Sequence, residues 1–161
     1  MRKIAVSLLV VASFNAQAAA CNKPIYLTFD TGNMEVAEHV AQVLRKHEVK
    51  ATFFLANEKT KRGDYSLDDS WAGYWQALKK DGHAFGNHTY FHTYLVKDFD
   101  ASTVMVKSQF GPDANKTRKI SQDGLCADLN LVKQRFQKLT GASLDPIWRA
   151  PGGRSEEHTS E

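Results

Sequence analysis

Short apolar runs rich in β-branched and aromatic residues alternate along this chain with amphipathic segments, and that alternation limits the fold more than any single motif does. Ile25-Tyr26-Leu27-Thr28-Phe29 runs into Asp30-Thr31-Gly32-Asn33, a strand entering a turn. Val36, Val40, Val43 and Leu44 then recur at helical spacing, with Glu35 at the start and Arg45, Lys46 and His47 at the end. Ala51 to Ala56 reads as a strand buried on both faces, and Asn57 to Ser70 as a charged, glycine-bearing loop. Trp71 to Lys80 predicts a second helix stopped by Asp81-Gly82, and His83 to Asn87 a third strand. This rhythm belongs to β/α units around a parallel sheet, so the class is α/β. After a less regular stretch, Leu129 to Leu139 predicts an amphipathic helix closed by Thr140-Gly141, and Ile147 to Pro151 a further short strand.

The two ends read differently from the body. Residues 1–18 have the composition of a secretory signal peptide: Arg2 and Lys3, an apolar run from Ile4 to Phe14, and Ala16-Gln17-Ala18 as a cleavage site. Ala18-Ala19-Ala20-Cys21 offers a weaker alternative as a lipoprotein box. The expected location is therefore periplasmic or secreted, where a Cys21–Cys126 disulfide is permissible. Residues 154–161 are polar throughout and read as an adapter-derived tail, the plainer alternative being a solvated charged extension. Residues 19–153 remain for the fold, enough for one core. A net charge of +3 without a cationic stripe gives no support for nucleic-acid binding, and beyond the leader no apolar stretch is long enough to span a bilayer.

His88-Thr89-Tyr90-Phe91-His92 places two imidazoles four residues apart. Were the segment helical, both would share one face with Cβ atoms about 5–6 Å apart. Two neutral imidazoles at such a separation can share a divalent ion such as zinc, given a third group. Asp30, His88 with His92, and Arg149 all fall at the C-terminal ends of expected strands, where ligands gather in β/α folds. Trp71, Tyr74 and Trp75 read as core residues in preference to a sugar-stacking platform. His39, His47 and His83 have no motif around them and read as surface or partly packed residues.

Three ordered segments resemble the NodB-type polysaccharide deacetylases, carbohydrate esterase family four. Thr28-Phe29-Asp30-Thr31-Gly32 is similar to that family's T-F-D-D-G, His88 to His92 to its H-[ST]-x-x-H, and Arg149-Ala150-Pro151-Gly152-Gly153 to its R-x-P-x-G. The resemblance covers residues 24–153 and implies a distorted (β/α) barrel, here incomplete, that removes N-acetyl groups from a glycan. It places Asp30 on the general base, His88 and His92 on the metal imidazoles, and Arg149 on the residue that holds the base. The backbone at Gly152 falls on the oxyanion or substrate contact.

One departure stands out: Thr31 occupies the position of the family's second Asp, the anionic metal ligand. Three outcomes stay open: Asp30 joins the ion, another oxygen or water completes the set, or metal binds weakly. The segment that supplies the family's general acid lies past R-x-P-x-G, beyond Glu161, which led us to expect this stretch alone to be inactive or poorly folded, with an open sheet edge. Two rivals remain at this level. One is a non-catalytic carbohydrate-binding pseudoenzyme, favoured by Thr31; the other is a related C–N hydrolase of the deformylase kind.

Overall fold

The computed structural model describes residues 23–153. The leader, Cys21 and the tail lie outside the described residues, so the disulfide expectation is not addressed; Cys126 is exposed on its helix. Three parallel strands form the first sheet, β1 (Thr28–Asp30), β2 (Thr52–Leu55) and β3 (Ala84–Asn87), in the order β1-β2-β3. The intervening helices are α1 (Ala37–Lys46) and α2 (Ala72–Lys80). Trp148 adds a single parallel bridge to Asn87, so the expected strand at Ile147–Pro151 is reduced to one bridged residue and a 3-10 turn at Pro151–Gly153. The fold is mixed α/β as expected, and no closed barrel forms among the described residues.

Register explains the core. Phe29 pairs with Phe53 and Phe53 with Phe85, so three phenyl rings cross the sheet on one face. Phe29 and Phe53 stack at 5.3 Å and Phe53 and Phe85 at 5.8 Å, with Trp75 edge-on to both Phe53 and Phe85. Trp71 and Trp75 are each 1% exposed, which confirms them as core residues. On α1 the buried stripe is Ala37, Ala41 and Leu44, while Val36 and Val43 face outward. Leu44 is buried and Val40 packs against the core as expected, so the inward face is shifted from the expected one only by exchanging Val36 and Val43 for Ala37 and Ala41. His83 is buried, accepts the Ala51 N–H on Nδ1 at 3.1 Å and lies edge-on to Phe53.

The irregular stretch is a second sheet. β4 (Thr93–Asp100), β5 (Thr103–Ser108) and β6 (Thr117–Ser121) form an antiparallel meander, broken by register shifts at Leu95/Lys97 and Asp98/Asp100. α3 (Gln122–Thr140) follows, capped by the Ser121 hydroxyl on the Gly124 N–H and ended by Gly141 in the left-handed conformation. It begins seven residues before the expected Leu129.

The opposite face of the parallel sheet carries the row Asp30, Phe54, Gly86. Gly86 is required there: a Cβ would meet Phe54 Cε1 at 2.6 Å and Ile147 Cγ1 at 2.9 Å. Phe54 in turn lies under the Arg149 guanidinium, 4.1 Å from ring centroid to Cζ. Gly86→Ala is expected to cost about 1–3 kcal/mol through overpacking, read by urea unfolding. Loss of less than half a kilocalorie would show that Phe54 relaxes freely.

Candidate active site

The carboxylate of Asp30 sits at the end of β1, where chain direction changes into the turn toward α1. Arg149 Nη1 donates to its Oδ1 at 2.8 Å, and Arg149 Nη2 donates to Thr28 Oγ1 at 2.9 Å. Stacked on Phe54 and bound at both nitrogens, the guanidinium is fixed in one orientation. On the other side, Asp30 Oδ2 faces His88 Nε2 at 3.7 Å. Residues 119 positions apart thus meet on one carboxylate.

The histidine segment is not helical. After β3 the chain turns through Thr89 and His92, both with positive φ, 63° and 49°. Such angles are unfavourable for a β-branched threonine. The turn is held by side chains: Asn87 Oδ1 accepts the Thr89 N–H at 2.9 Å, and Thr89 Oγ1 accepts the Thr93 N–H at 2.7 Å. Asp128, buried on α3, accepts the Tyr90 N–H at 2.7 Å, the Phe91 N–H at 3.3 Å and the Thr93 hydroxyl at 2.8 Å. This strained turn, not a helix face, brings the two imidazoles together, with ring centroids 4.9 Å apart.

Both rings are held toward the neutral form. Burial lowers the His88 pKa, against the pull of the Arg149 carbonyl and Asp30. Burial, then the neighbouring His88, lowers that of His92. Since a carbonyl only accepts, the 2.8 Å contact between His88 Nδ1 and the Arg149 oxygen places the proton on Nδ1. Nε2 therefore presents a lone pair toward Asp30 Oδ2, two acceptors facing one another. His92 Nδ1 is buried with no hydrogen-bond partner among the described residues. A cation at His88 Nε2 would relieve the first mismatch, and a ligand histidine anchored through its other nitrogen is the usual arrangement. The two imidazoles fit a divalent ion in chemistry. Among the described residues, however, no three His, Cys, Asp or Glu side chains stand close enough to enclose one.

Thr31 accounts for the shortfall. Its buried hydroxyl accepts the Ala56 N–H at 2.8 Å and lies 3.1 Å from both the Ala56 carbonyl and Glu58 Oε1. Glu58, Asp128 and Tyr94 are the groups sequence reasoning missed. The Tyr94 ring packs edge-on against His92 at 4.9 Å and fills the space where a Cβ on Gly152 would sit, 2.9 Å from its nearest atoms. Gly152, with φ 72°, is thereby bound to the site by its lack of a side chain. An alternating Thr-Tyr-Leu-Val directly after His92 was the signal available for Tyr94; nothing in the sequence marked the two acids.

Glu58 carries a measurable consequence. Burial pushes its pKa up from 4.5 to about 7, with Thr31 opposing and Asp30 adding to the rise. The folded state then binds this proton more tightly than the unfolded state. The contribution to stability is complete below the unfolded value and is lost as pH climbs through about 7. For metal-free protein we expect Glu58→Gln to exceed the parent by about 3 kcal/mol at pH 8 and to match it near pH 4, read by chemical unfolding in chelator. A difference independent of pH would contradict the burial argument. Asp128→Ala leaves the Tyr90 and Phe91 N–H groups unsatisfied, the Thr93 hydroxyl keeping Ser108 at 2.9 Å, and should cost about 2–4 kcal/mol, with the His92 side-chain NMR signals broadened.

The chain is similar to several known proteins. Residues 17–161 match the profile of the polysaccharide deacetylase family. A peptidoglycan-N-acetylmuramic acid deacetylase, PdaA, of Bacillus subtilis is 28% identical over 137 residues, covering 84% of this chain and 41% of its own length. A chitin disaccharide deacetylase of Vibrio alginolyticus is 36% identical over 96 residues, covering 57% of this chain and 22% of its own. The structure of a family 4 carbohydrate esterase from Bacillus anthracis superposes with a TM-score of 0.54 at 25% identity, covering 84% of this chain and 52% of that one. The chain spans less than half the length of the curated relatives it matches. With its three motifs converging at one end of the parallel sheet, and its profile match extending over most of its length, the chain belongs to the polysaccharide deacetylase family.

Proposed function

We propose that the protein carrying this domain removes N-acetyl groups from a polysaccharide or amino-sugar glycan by hydrolysing the amide. The observation that supports this reading best is the single carboxylate, Asp30, gripped by Arg149 at 2.8 Å and facing His88 at 3.7 Å. In this reading Asp30 is the general base. Oδ1 is occupied by Arg149, so Oδ2 is the oxygen left to take a proton from attacking water. A divalent ion held by His88 and His92, zinc by choice of ligands, would supply polarisation of the acetamide carbonyl and acidify water. Arg149 keeps the base from swinging away, and Phe54 keeps Arg149 in plane. In this reading a backbone N–H at Gly152, whose missing side chain leaves room for Tyr94, would meet the developing oxyanion. The leader at residues 1–18 supports export to the periplasm or the medium, where such glycans are found. N-terminal sequencing of the exported protein tests that point; retention of Met1 would refute it.

A second reading is a carbohydrate-binding domain that has lost catalysis. Thr31, bonded to Ala56 and Glu58 in place of an anionic ligand, is the observation in its favour. Acetate release separates the two. With N-acetylglucosamine oligomers and peptidoglycan fragments, the hydrolase reading expects acetate, not formate, and loss of turnover on chelation. Asp30→Asn should lower kcat about 10²–10⁴-fold with little change in KM. Tight glycan binding with no acetate, in parent and variant alike, would establish the binding domain instead.

A further inference from the structure

Tyr94 and Gln109 join the antiparallel sheet to the candidate site. β4 starts directly after His92, and the Tyr94 ring lies edge-on to that imidazole at 4.9 Å and against Gly152. Its hydroxyl donates to Gln109 Oε1 at 3.2 Å. Gln109 follows β5 and its side chain is exposed, yet its main chain is held: the N–H is shared between the Phe91 and His92 carbonyls, each at 3.2 Å. The turn beyond it is packed as well, since a Cβ on Gly111 would run into the Phe91 ring. The Gln109 side chain also neighbours the His92 ring.

Stability does not explain the pair, because a hydrogen bond between solvent-exposed side chains adds little in water. Its placement does have a use. Exposure rises along the series His88, His92, Tyr94, Gln109, from a buried imidazole through two half-buried rings to an open carboxamide. An acetamide that reaches Asp30 and the two imidazoles would leave its sugar ring toward the open end of that series. The groups waiting there are of the right kind. A tyrosine offers an apolar ring with a polar tip. With Oε1 engaged by Tyr94, the Gln109 amide N–H donors remain for a sugar hydroxyl. A few fixed polar groups beside an aromatic ring are how a ligand site sets orientation.

We propose that Tyr94 and Gln109 form a sugar subsite at the rim of the candidate active site. The Gln109 carboxamide donates to a hydroxyl of the pyranose that carries the acetamide, and the Tyr94 hydroxyl holds that carboxamide in place. The assignment rests on the hydrolase reading for the position of the acetamide and adds to it the residues that orient the sugar. Gln109 suits the task because its main chain is already fixed by the histidine turn, so little freedom is lost when a sugar binds. Such a contact is made equally to substrate and transition state. Its loss therefore raises KM and leaves kcat in place.

The test is the binding of N-acetylglucosamine oligomers to the whole protein, by calorimetry, alongside acetate release. The parent is compared with Gln109→Ala, Tyr94→Phe and the double variant Tyr94→Phe/Gln109→Ala. Each is expected to weaken oligomer binding about 3–10-fold and to raise KM by the same factor at unchanged kcat. The double variant should match Gln109→Ala, because the Tyr94 hydroxyl acts through the carboxamide. Urea unfolding and Zn²⁺ affinity should stay at the parent values; a merely structural role would move these instead. Oligomer binding that is absent in the parent or unaltered in Gln109→Ala overturns the proposal, as do additive losses in the double variant. Weaker Zn²⁺ binding in Gln109→Ala would also overturn it, by assigning the residue to His92. The two readings fail separately. Oligomer binding that depends on Gln109 without any acetate release sinks the hydrolase and leaves this subsite standing; acetate release with the parent KM in Gln109→Ala does the reverse.

Discussion

The Arg149–Asp30 ion pair is the interaction on which the site depends. It ties the first strand to the last described segment, and every element between has to be in register for it to form. Gly86 must lack a side chain so that Phe54 can lie flat; Phe54 must lie flat so that the guanidinium can stack; the guanidinium must stack to reach both Thr28 and Asp30. The backbone adds a second lock, since Arg149 N–H donates to the Asn87 carbonyl while its own carbonyl fixes His88. One arginine therefore sets the Asp30 carboxylate with its side chain and the His88 imidazole with its main chain.

Much of this was legible in the sequence because it rests on local chemistry. Asp30, His88, His92 and Arg149 each follow a strand signal, and parallel strands deliver their C-terminal ends to one side. The helix positions also follow from periodicity, although α1 buries Ala37 and Ala41 in place of Val36 and Val43. Alanine is the weaker hydrophobe, and pattern reading by hydrophobicity undervalues it. The antiparallel sheet was obscured for another reason. β4 carries Lys97, Asp98 and Asp100 and is interrupted by register shifts, so no clean alternation of apolar and polar residues survives.

Buried acids are the part that sequence does not disclose. Asp128 and Glu58 look like ordinary charged residues of a helix and a loop. Their roles come from tertiary placement: one meets the unsatisfied N–H groups of a strained turn, the other lies beneath a threonine. The turn itself shows why the histidine spacing was misleading as a helix signal. Four residues also span a tight reversal, and positive φ at Thr89 and His92 brings the rings as near as one helical turn would. The strain of that turn is balanced by hydrogen bonds to Asn87, Thr89 and Asp128, which ties the geometry of the two imidazoles to core packing of α3.

The distribution of mismatched groups carries a further point. In the aromatic core the polar side chains are paired: Trp75 Nε1 donates to Ser66, and His83 accepts from Ala51. Near Asp30 the pattern reverses. His88 Nε2 opposes a carboxylate oxygen, His92 Nδ1 has no partner among the described residues, and Glu58 has no cation. Each of these is unfavourable alone; the other unpartnered buried side-chain atoms among the described residues, Thr103 Oγ1 and Arg118 Nε, belong to the antiparallel sheet. Acceptors left without donors where three motifs meet are what the proposed cation would relieve, while Thr31, bonded to Ala56 and Glu58, offers it no anionic ligand.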